Sequence, residues 1–317
     1  MPGPYADCMG AGHSHHGHTA GRAQDRSRLR LVLLVTVVVV VVELVGAWLS
    51  HSLALLADAG HMLTDAAGLV VALSASLVAT LPATPRRTFG YHRAEILAAL
   101  LNALVLVGLC GYLVYAAVRR LLDPQPVHGG QLLVFAVIGL AGNAASLLLL
   151  RDRKDASLNM KGAFLEVLSD AIGSAAAIVA GVVVLTTGFL SADSIASLAI
   201  AVLILPRSWQ LLRETLGVLL EAAPPGLDVE SVRRHLADAD GVVEVHDLHA
   251  WTITSGMPAL SAHVTVTDTA LADRGVGEIL DELSGCVSSH FGIDHATFQL
   301  EPQSHRGHEH LGEHDHA

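Results

Sequence analysis

Charge is scarce in this chain. Asp, Glu, Lys and Arg together make up 15% of 317 residues, whereas a soluble globular domain carries about 25%. Aromatic residues are fewer still at 4%, so the 52% of hydrophobic residues is mostly Leu, Val and Ala, a composition suited to packed helices in lipid. Cysteine is limited to Cys8, Cys110 and Cys286. These positions are too far apart for a disulfide framework or a Cys-x-x-Cys zinc motif, and they read as small buried or incidental thiols. No Gly-x-x-x-x-Gly-Lys-[Ser/Thr] loop is present to bind a nucleotide, and no His-Glu-x-x-His marks a zinc hydrolase. Net charge is -11, with much of the acid after residue 220, which argues against nucleic acid as a partner.

The apolar mass falls into six runs, at about 29–50, 53–80, 95–118, 129–150, 160–187 and 192–212. Each matches the roughly 20 residues needed to cross a bilayer, and Pro206 is expected to kink the sixth or end its regular part. Lys and Arg concentrate before the first run and between the second and third and the fourth and fifth. The loops after the first and fifth have none, and only Arg119 and Arg120 break the pattern. This bias places both termini in the cytoplasm of a multi-pass protein of the plasma membrane.

After Ala222-Ala223-Pro224-Pro225 the composition becomes that of a small soluble domain. Helical periodicity over Asp228–Ala239 and Leu271–Phe291, with alternation over Val242–Trp251, Ala259–Thr267 and Ala296–Glu301, gives the order α-β-β-α-β. The fold class expected is therefore an all-α six-helix transmembrane bundle with a small α+β, ferredoxin-like C-terminal domain. Its parts are a His-rich disordered tail over 1–28, the bundle over 29–215, a cytoplasmic metal-binding and dimerisation domain over 216–302, and a second His-rich disordered tail over 303–317. Of 19 histidines, His13, His15, His16 and His18 lie in the first tail and His305, His308, His310, His314 and His316 in the last. They are interleaved with Gly, Ser, Glu and Asp, as in tracts that capture metal.

Ionisable residues inside the spans are the most informative. A carboxylate at mid-membrane costs on the order of 3 kcal/mol by insertion scales, so such groups pair, line a cavity or do chemistry. His61 and Asp65 are four apart on the second span, and Glu166 and Asp170 are four apart on the fifth, each pair on one helical face. The two stretches share a pattern, His61-Met-Leu-Thr-Asp65-Ala-Ala-Gly68 beside Glu166-Val-Leu-Ser-Asp170-Ala-Ile-Gly173. If these helices pack, one imidazole and three carboxylates converge on a cation, with Ala66, Gly68, Ala171, Gly173 and Ser174 allowing close approach. Asp58 reads as a fifth ligand, a proton relay or a helix-end charge. Glu43 reads as a structural hydrogen-bonding group or a proton carrier. Asn102 and Asn143 read as helix glue, with Asn143 also able to face an ion path.

At these residues the chain resembles the cation diffusion facilitator family, in its bacterial zinc, cobalt and cadmium efflux branch. The resemblance is carried by Ser52-Leu-Ala-Leu-Leu-Ala-Asp-Ala-Gly-His-Met-Leu-Thr-Asp65, Phe89-Gly-Tyr-His-Arg-Ala-Glu-Ile-Leu97, Leu158-Asn159, Val245-His-Asp-Leu-His-Ala-Trp251 and Ser261-Ala-His-Val264. It implies a homodimeric antiporter, not an enzyme, that exports Zn2+, Co2+ or Cd2+ in exchange for protons, with no organic cofactor and no nucleotide. It implies a transport site of His61, Asp65, Glu166 and Asp170. Relatives selective for zinc usually have His where Glu166 stands, and a carboxylate suits harder ions, so Mn2+ or Fe2+ export is the alternative. The resemblance also implies a cytoplasmic metal site at His246, His263 and Glu301, to which Asp294 is added; His249 is left out on strand alternation. It suggests an interlock of Arg93 with Glu221. A further loop site is absent, with Arg87 and Tyr91 at its histidine positions. Two rivals are an intramembrane metalloenzyme and a non-transporting metal sensor or buffer built on the tails and the soluble domain.

Overall fold

A computed structural model describes the backbone of residues 16–152 and 158–304 and the side chains of residues 28–152 and 160–304. Six long helices come first, α1 (His16–Ser50), α2 (Leu53–Ala79), α3 (Ala94–Leu122), α4 (Gly129–Arg151), α5 (Leu158–Thr187) and α6 (Ser191–Leu219). Each contains a stretch long and apolar enough to cross a membrane.

Two boundaries differ from the sequence expectation. Residues 16–28 were expected to be a disordered tail, yet α1 begins at His16. Ala20, Arg22, Ala23, Gln24, Arg26 and Arg28 are good helix formers, so a helix nucleated in the apolar run propagates back through them. α6 does not stop near residue 212; it runs through Pro206 to Leu219. A proline inside a membrane helix is tolerated where neighbouring groups satisfy the freed carbonyl.

The chain divides into two compact units. The first joins residues up to Ala66 with Gly108–Leu205, and the second joins Ala67–Val107 with residues from Pro206 onward.

In the first unit, small residues set the helix contacts. The buried residues of α4 are Gly129, Leu132, Ala136, Gly139, Asn143, Ser146 and Leu150, a stripe of three- and four-residue steps along one face. Against it α1 runs in antiparallel register, with Gly142 under Val39, Gly139 under Glu43 and Phe135 over Gly46. On the other side Gly181 of α5 lies against Leu132 and Leu133, and Gly129 lies against Val184 and Leu185. Lipid supplies no hydrophobic drive between helices, so close backbone approach and polar contacts hold them.

A buried carboxylate that the sequence reading passed over joins three helix ends. Asp193, near the start of α6 and fully buried, accepts from Ser52 Oγ at 2.5 Å, Leu53 N–H at 2.7 Å and Ala54 N–H at 3.2 Å. It thereby satisfies the orphan amides at the N-terminus of α2. Arg120 Nη1 lies 3.7 Å from Asp193 Oδ2 and donates to the His51 carbonyl at 2.6 Å. Arg120, which broke the charge asymmetry of the loops, is thus held by a buried partner.

In the second unit, the C-terminal domain follows the order α7 (Val229–Ala237), β1 (Val242–Thr254), β2 (Met257–Val266), α8 (Asp268–Asp273), α9 (Gly275–Phe291) and β3 (His295–Pro302). β1 and β2 pair antiparallel and β2 and β3 parallel, giving the sheet order β1-β2-β3. Val232 and Leu236 of α7 and Ile279, Leu283 and Val287 of α9 pack with Val245, Leu260, Val264 and Val266 of the sheet into one core. Asp228 caps α7 by accepting from Glu230 N–H. The single helix expected over 271–291 is divided at Arg274–Gly275, where Gly275 has φ of +79°, a conformation that favours glycine.

Removing the Asp193 carboxylate orphans the α2 amides and the Arg120 cation at once. Asp193→Ala is expected to destabilise the detergent-solubilised protein by about 2 kcal/mol, and Asp193→Asn by less because its amide oxygen still caps. Thermal unfolding midpoints check this; equal midpoints for wild type and Asp193→Ala would count against it.

Candidate metal centre

α2 and α5 each carry two ionisable residues one turn apart. His61, Asp65 and Glu166 come together, each with a donor atom within 4.8 Å of the others. His61 Nδ1 is 3.4 Å from Asp65 Oδ2. His61 is buried, and Asp65 and Glu166 are half-buried. Asp170, one turn beyond Glu166, is buried and lies outside this close triad. A cavity of about 70 Å³ adjoins, lined by Asp58, His61, Ser169 and Gly173 with Ala199 and Leu203 of α6. It is large enough for a few water molecules.

Beside the triad, four helices meet at a second buried polar group. Glu43 of α1, Asp58 of α2, Asn143 of α4 and Ser174 of α5 are each at most 1% exposed. Asp58 is therefore not a helix-end surface charge. Asn143 Nδ2 donates to Ser174 Oγ at 3.2 Å. The Ser174 hydroxyl faces Asp58 Oδ2 at 2.9 Å and Glu43 Oε1 at 3.2 Å. A hydroxyl has one proton to donate, so it satisfies one carboxylate at a time. The other contact becomes a hydrogen bond only when that carboxyl brings its own proton. Glu43 Oε2 has no hydrogen-bond partner among the described residues. Glycines make this arrangement possible, since a Cβ on Gly173 would collide with Asp58 Oδ1 and one on Gly139 with Glu43 Oε1. Asn102, expected as helix glue, lies over Gly68 in the second unit.

The C-terminal domain gathers another donor set. His246, His263 and Glu301 have donor atoms within 4.8 Å of one another. Glu301, 4% exposed, lies 2.9 Å from His263 Nδ1 and 3.4 Å from His246 Nε2, while Gln299 Nε2 donates to it at 2.8 Å. Asp294 is not brought to this set; it accepts from Ser288 Oγ at 2.6 Å at the turn between α9 and β3. The residue that sequence reasoning missed is Asp247. A bulge between His246 and His249 breaks the strand register, and Asp247 takes a left-handed φ of +47°. Its carboxylate then reaches His249 Nε2 at 2.8 Å and His263 Nε2 at 3.7 Å. Alternation, the basis for omitting His249, does not hold across a bulge.

Arg93 Nη2 donates to Glu221 Oε1 at 3.0 Å, with both side chains largely exposed. The Arg87 guanidinium stacks over the Tyr91 ring at 4.4 Å, which suits a cation–π pair. His13 and His15 and the histidines from His305 on lie outside the described residues, and of His16 and His18 only the backbone is described.

These features define a class first: a multi-pass membrane protein with metal-grade donor groups in its span and on a small α+β domain. The comparisons with known proteins narrow it. The family described as "Cation efflux transmembrane domain" matches residues 29–220, and that described as "Cation efflux protein, cytoplasmic domain" matches residues 224–303. The metal cation efflux system protein CzcD of Cupriavidus metallidurans is 43% identical over 293 residues, 92% of this chain and 90% of the relative. The zinc transporter ZitB of Escherichia coli is 40% identical over 264 residues, 83% of each chain. A "Cadmium, cobalt and zinc/H(+)-K(+) antiporter" of Bacillus subtilis is 37% identical over 266 residues, 83% of this chain and 85% of the relative. The chain belongs to the cation diffusion facilitator family, in its zinc, cobalt and cadmium branch, and is a metal efflux transporter and not an enzyme.

The space opposite the two carboxylates can be probed directly. Gly173→Ala is expected to displace Asp58 and lower stability by about 2 kcal/mol. Gly162→Ala, in the same helix with nothing within 4 Å of its added methyl, should leave the thermal midpoint near wild type. Indistinguishable midpoints for the two variants would contradict the packing.

Proposed function

We propose that this transporter exports Zn2+, or Co2+ or Cd2+, from the cytoplasm in exchange for protons, and that the ion is carried by His61, Asp65, Glu166 and Asp170. The observation that carries this reading is the convergence of His61, Asp65 and Glu166 from two helices within 4.8 Å of one another. Nitrogen and oxygen donors at that separation can replace the water around a divalent ion. Asp170, buried one turn away on the same helix, supplies the fourth donor when the cation draws the carboxylates inward. Because bound ligands must be deprotonated, an entering ion expels protons and returning protons weaken its hold. The donor set stays together while the surrounding helices rock between inward- and outward-open arrangements. Similarity to the Bacillus subtilis cadmium, cobalt and zinc/H(+)-K(+) antiporter supports proton coupling. Glu43 and Asp58 act as accessory proton carriers through the shared Ser174 hydroxyl, with Asn143 fixing its orientation.

In this reading residues 29–215 form the transport bundle, both termini face the cytoplasm, and the protein sits in the plasma membrane. Residues 216–302 form a cytoplasmic domain that joins two copies and holds a regulatory ion at His246, His263 and Glu301, with Asp247 nearby. Arg93 and Glu221 position that domain, and the His-rich tails over 1–28 and 303–317 gather ions. Glu166 favours a second selectivity: a site with one imidazole and three carboxylates accommodates harder ions than one with two imidazoles, so Mn2+ or Fe2+ could be the exported ion in place of Zn2+.

In vesicles with an imposed pH gradient, Asp65→Ala and Asp170→Ala are expected to abolish metal-dependent proton flux while the protein remains folded by circular dichroism. Full flux in either folded variant would reject this site. Glu166→His should shift ion preference toward Zn2+ in a competition assay against Mn2+; an unchanged preference would refute the argument from ligand softness.

A further inference from the structure

Within the second unit, the loop between α2 and α3 and the C-terminal domain border an open cavity of about 1120 Å³. Side chains hold the two walls together. The Phe89 ring packs edge-on against His295, with 5.5 Å between centroids, and Thr254 Oγ1 donates to Glu95 Oε2 at 3.2 Å. Charge around the cavity is lopsided. Arg86, Arg87 and Arg93 line it, and Glu221 is the one carboxylate among its described lining residues. Arg93 is committed to Glu221 at 3.0 Å. Arg86 and Arg87 have no ion-pair partner among the described residues, so two cations stay uncompensated. The chain as a whole is of the opposite sign, with a net charge of -11.

Arg87 is also held in place. Its guanidinium lies over the Tyr91 ring, 4.4 Å from the centroid. Stacking of this kind occupies the face of the guanidinium and leaves its in-plane N–H fork for an acceptor. A fork already fixed loses less freedom when it binds the oxygens of a phosphate. Trp251 of β1 lines the same cavity, and its indole N–H has no acceptor among the described residues. Thr88 adds a hydroxyl. Donors in excess of acceptors around one concavity suit an anion with several oxygens.

The cavity lies between the ends of two spans, since α2 stops at Ala79 and α3 starts at Ala94. Leu97 of α3 lines it. Leu97, Leu101 and Leu104 follow one another at steps of four and three, on one helical face, and each is exposed. An apolar strip therefore leads from the cationic cavity along the span. A phospholipid matches both features, with its phosphate on the arginines and an acyl chain on the strip. A metal ion fits less well. Two uncompensated arginines repel it, and His249, the histidine of the lining, is engaged by Asp247 at 2.8 Å.

We infer that this cavity is a binding site for the phosphate group of a negatively charged ligand, held by Arg86 and Arg87 with Trp251 and Thr88 as further donors. An anionic phospholipid and a soluble phosphate ester both present that group, and the strip of leucines favours the lipid. The occupant touches the α2–α3 loop on one side and β1 on the other, so its binding fastens the loop to the strand that carries His246.

The test uses Trp251 as a local probe. Trp48, Trp209 and Trp251 are the three tryptophans of the sequence, so the full chain carrying Trp48→Phe and Trp209→Phe reports from the cavity alone. In micelles of an uncharged detergent it is titrated separately with phosphatidylglycerol, with phosphatidylcholine and with soluble glycerol 3-phosphate, while Trp251 emission is recorded. A saturable change with phosphatidylglycerol is expected, and a much weaker one with phosphatidylcholine. Adding Arg86→Gln and Arg87→Gln together should raise the half-saturating concentration by about tenfold or more. The paired change Arg119→Gln and Arg151→Gln, at exposed arginines outside the cavity lining, should leave it unmoved. A response to phosphatidylglycerol without one to glycerol 3-phosphate assigns a lipid headgroup, and a response to glycerol 3-phosphate assigns a soluble phosphate ester; either supports the site. No saturable response to both compounds, an equal response to phosphatidylcholine, or half-saturation that shifts equally in the two arginine pairs would overturn the inference. No metal enters the measurement, so this site and the transport reading fail independently.

Discussion

A carboxylate taken into a bilayer must find a partner, because the solvation it loses is worth several kcal/mol and lipid returns none of it. The first unit is organised around that requirement. Glu43, Asp58, Asp170 and Asp193 are all buried, and around Glu43, Asp58 and Asp193 the packing is built to deliver a hydroxyl, an amide or a cation. Asp193 receives two backbone amides, the Ser52 hydroxyl and Arg120. Glu43 and Asp58 share the Ser174 hydroxyl, which is itself fixed by Asn143. Gly139 and Gly173 leave the room those carboxylates occupy. Small residues at helix contacts therefore also define where a carboxylate fits.

That arrangement bears on transport because an exporter needs a site that is stable empty as well as loaded. The Ser174 hydroxyl can donate to only one of its two carboxylate neighbours. A proton arriving on the other converts a repulsive contact into a hydrogen bond, so the group has two satisfied states that differ by where a proton sits. It lies next to the His61–Asp65–Glu166 triad, with Asp58 and His61 lining one small cavity. If protons are exchanged for metal, as proposed, such a layout needs no long relay, since Asp58 shares α2 with His61 and Asp65, and Ser174 shares α5 with Glu166.

The spans, the α-β-β-α-β order and the meeting of His61, Asp65 and Glu166 from α2 and α5 were legible because each has a periodic signature: long apolar runs, alternation, or matched four-residue spacing. What was not legible arose where local geometry overrides period. Asp247 lies in a bulge, so counting alternate strand positions gives the wrong face for His249 and conceals the carboxylate between it and His263. Asp193 sits near a helix start, where an acidic residue is ordinary, and nothing in the sequence reveals that it caps a different helix. Arg120 looked like an exception to the charge asymmetry until its partner was located. The helical start at His16 shows the reverse error, in which polar composition was taken for disorder although the residues from Ala20 on favour helix.

Donor chemistry separates the two close donor sets among the described residues more sharply than position does. The set in the span, His61, Asp65 and Glu166, is one imidazole with two carboxylates, and the set on the sheet, His246, His263 and Glu301, is two imidazoles with one carboxylate. Softness rises from the first to the second. An ion held too tightly cannot be released, and an oxygen-rich set lowers that risk for a site that must turn over, as the proposed transport site must. A site that only registers an ion is under no such constraint, and tighter binding by nitrogen is then an advantage.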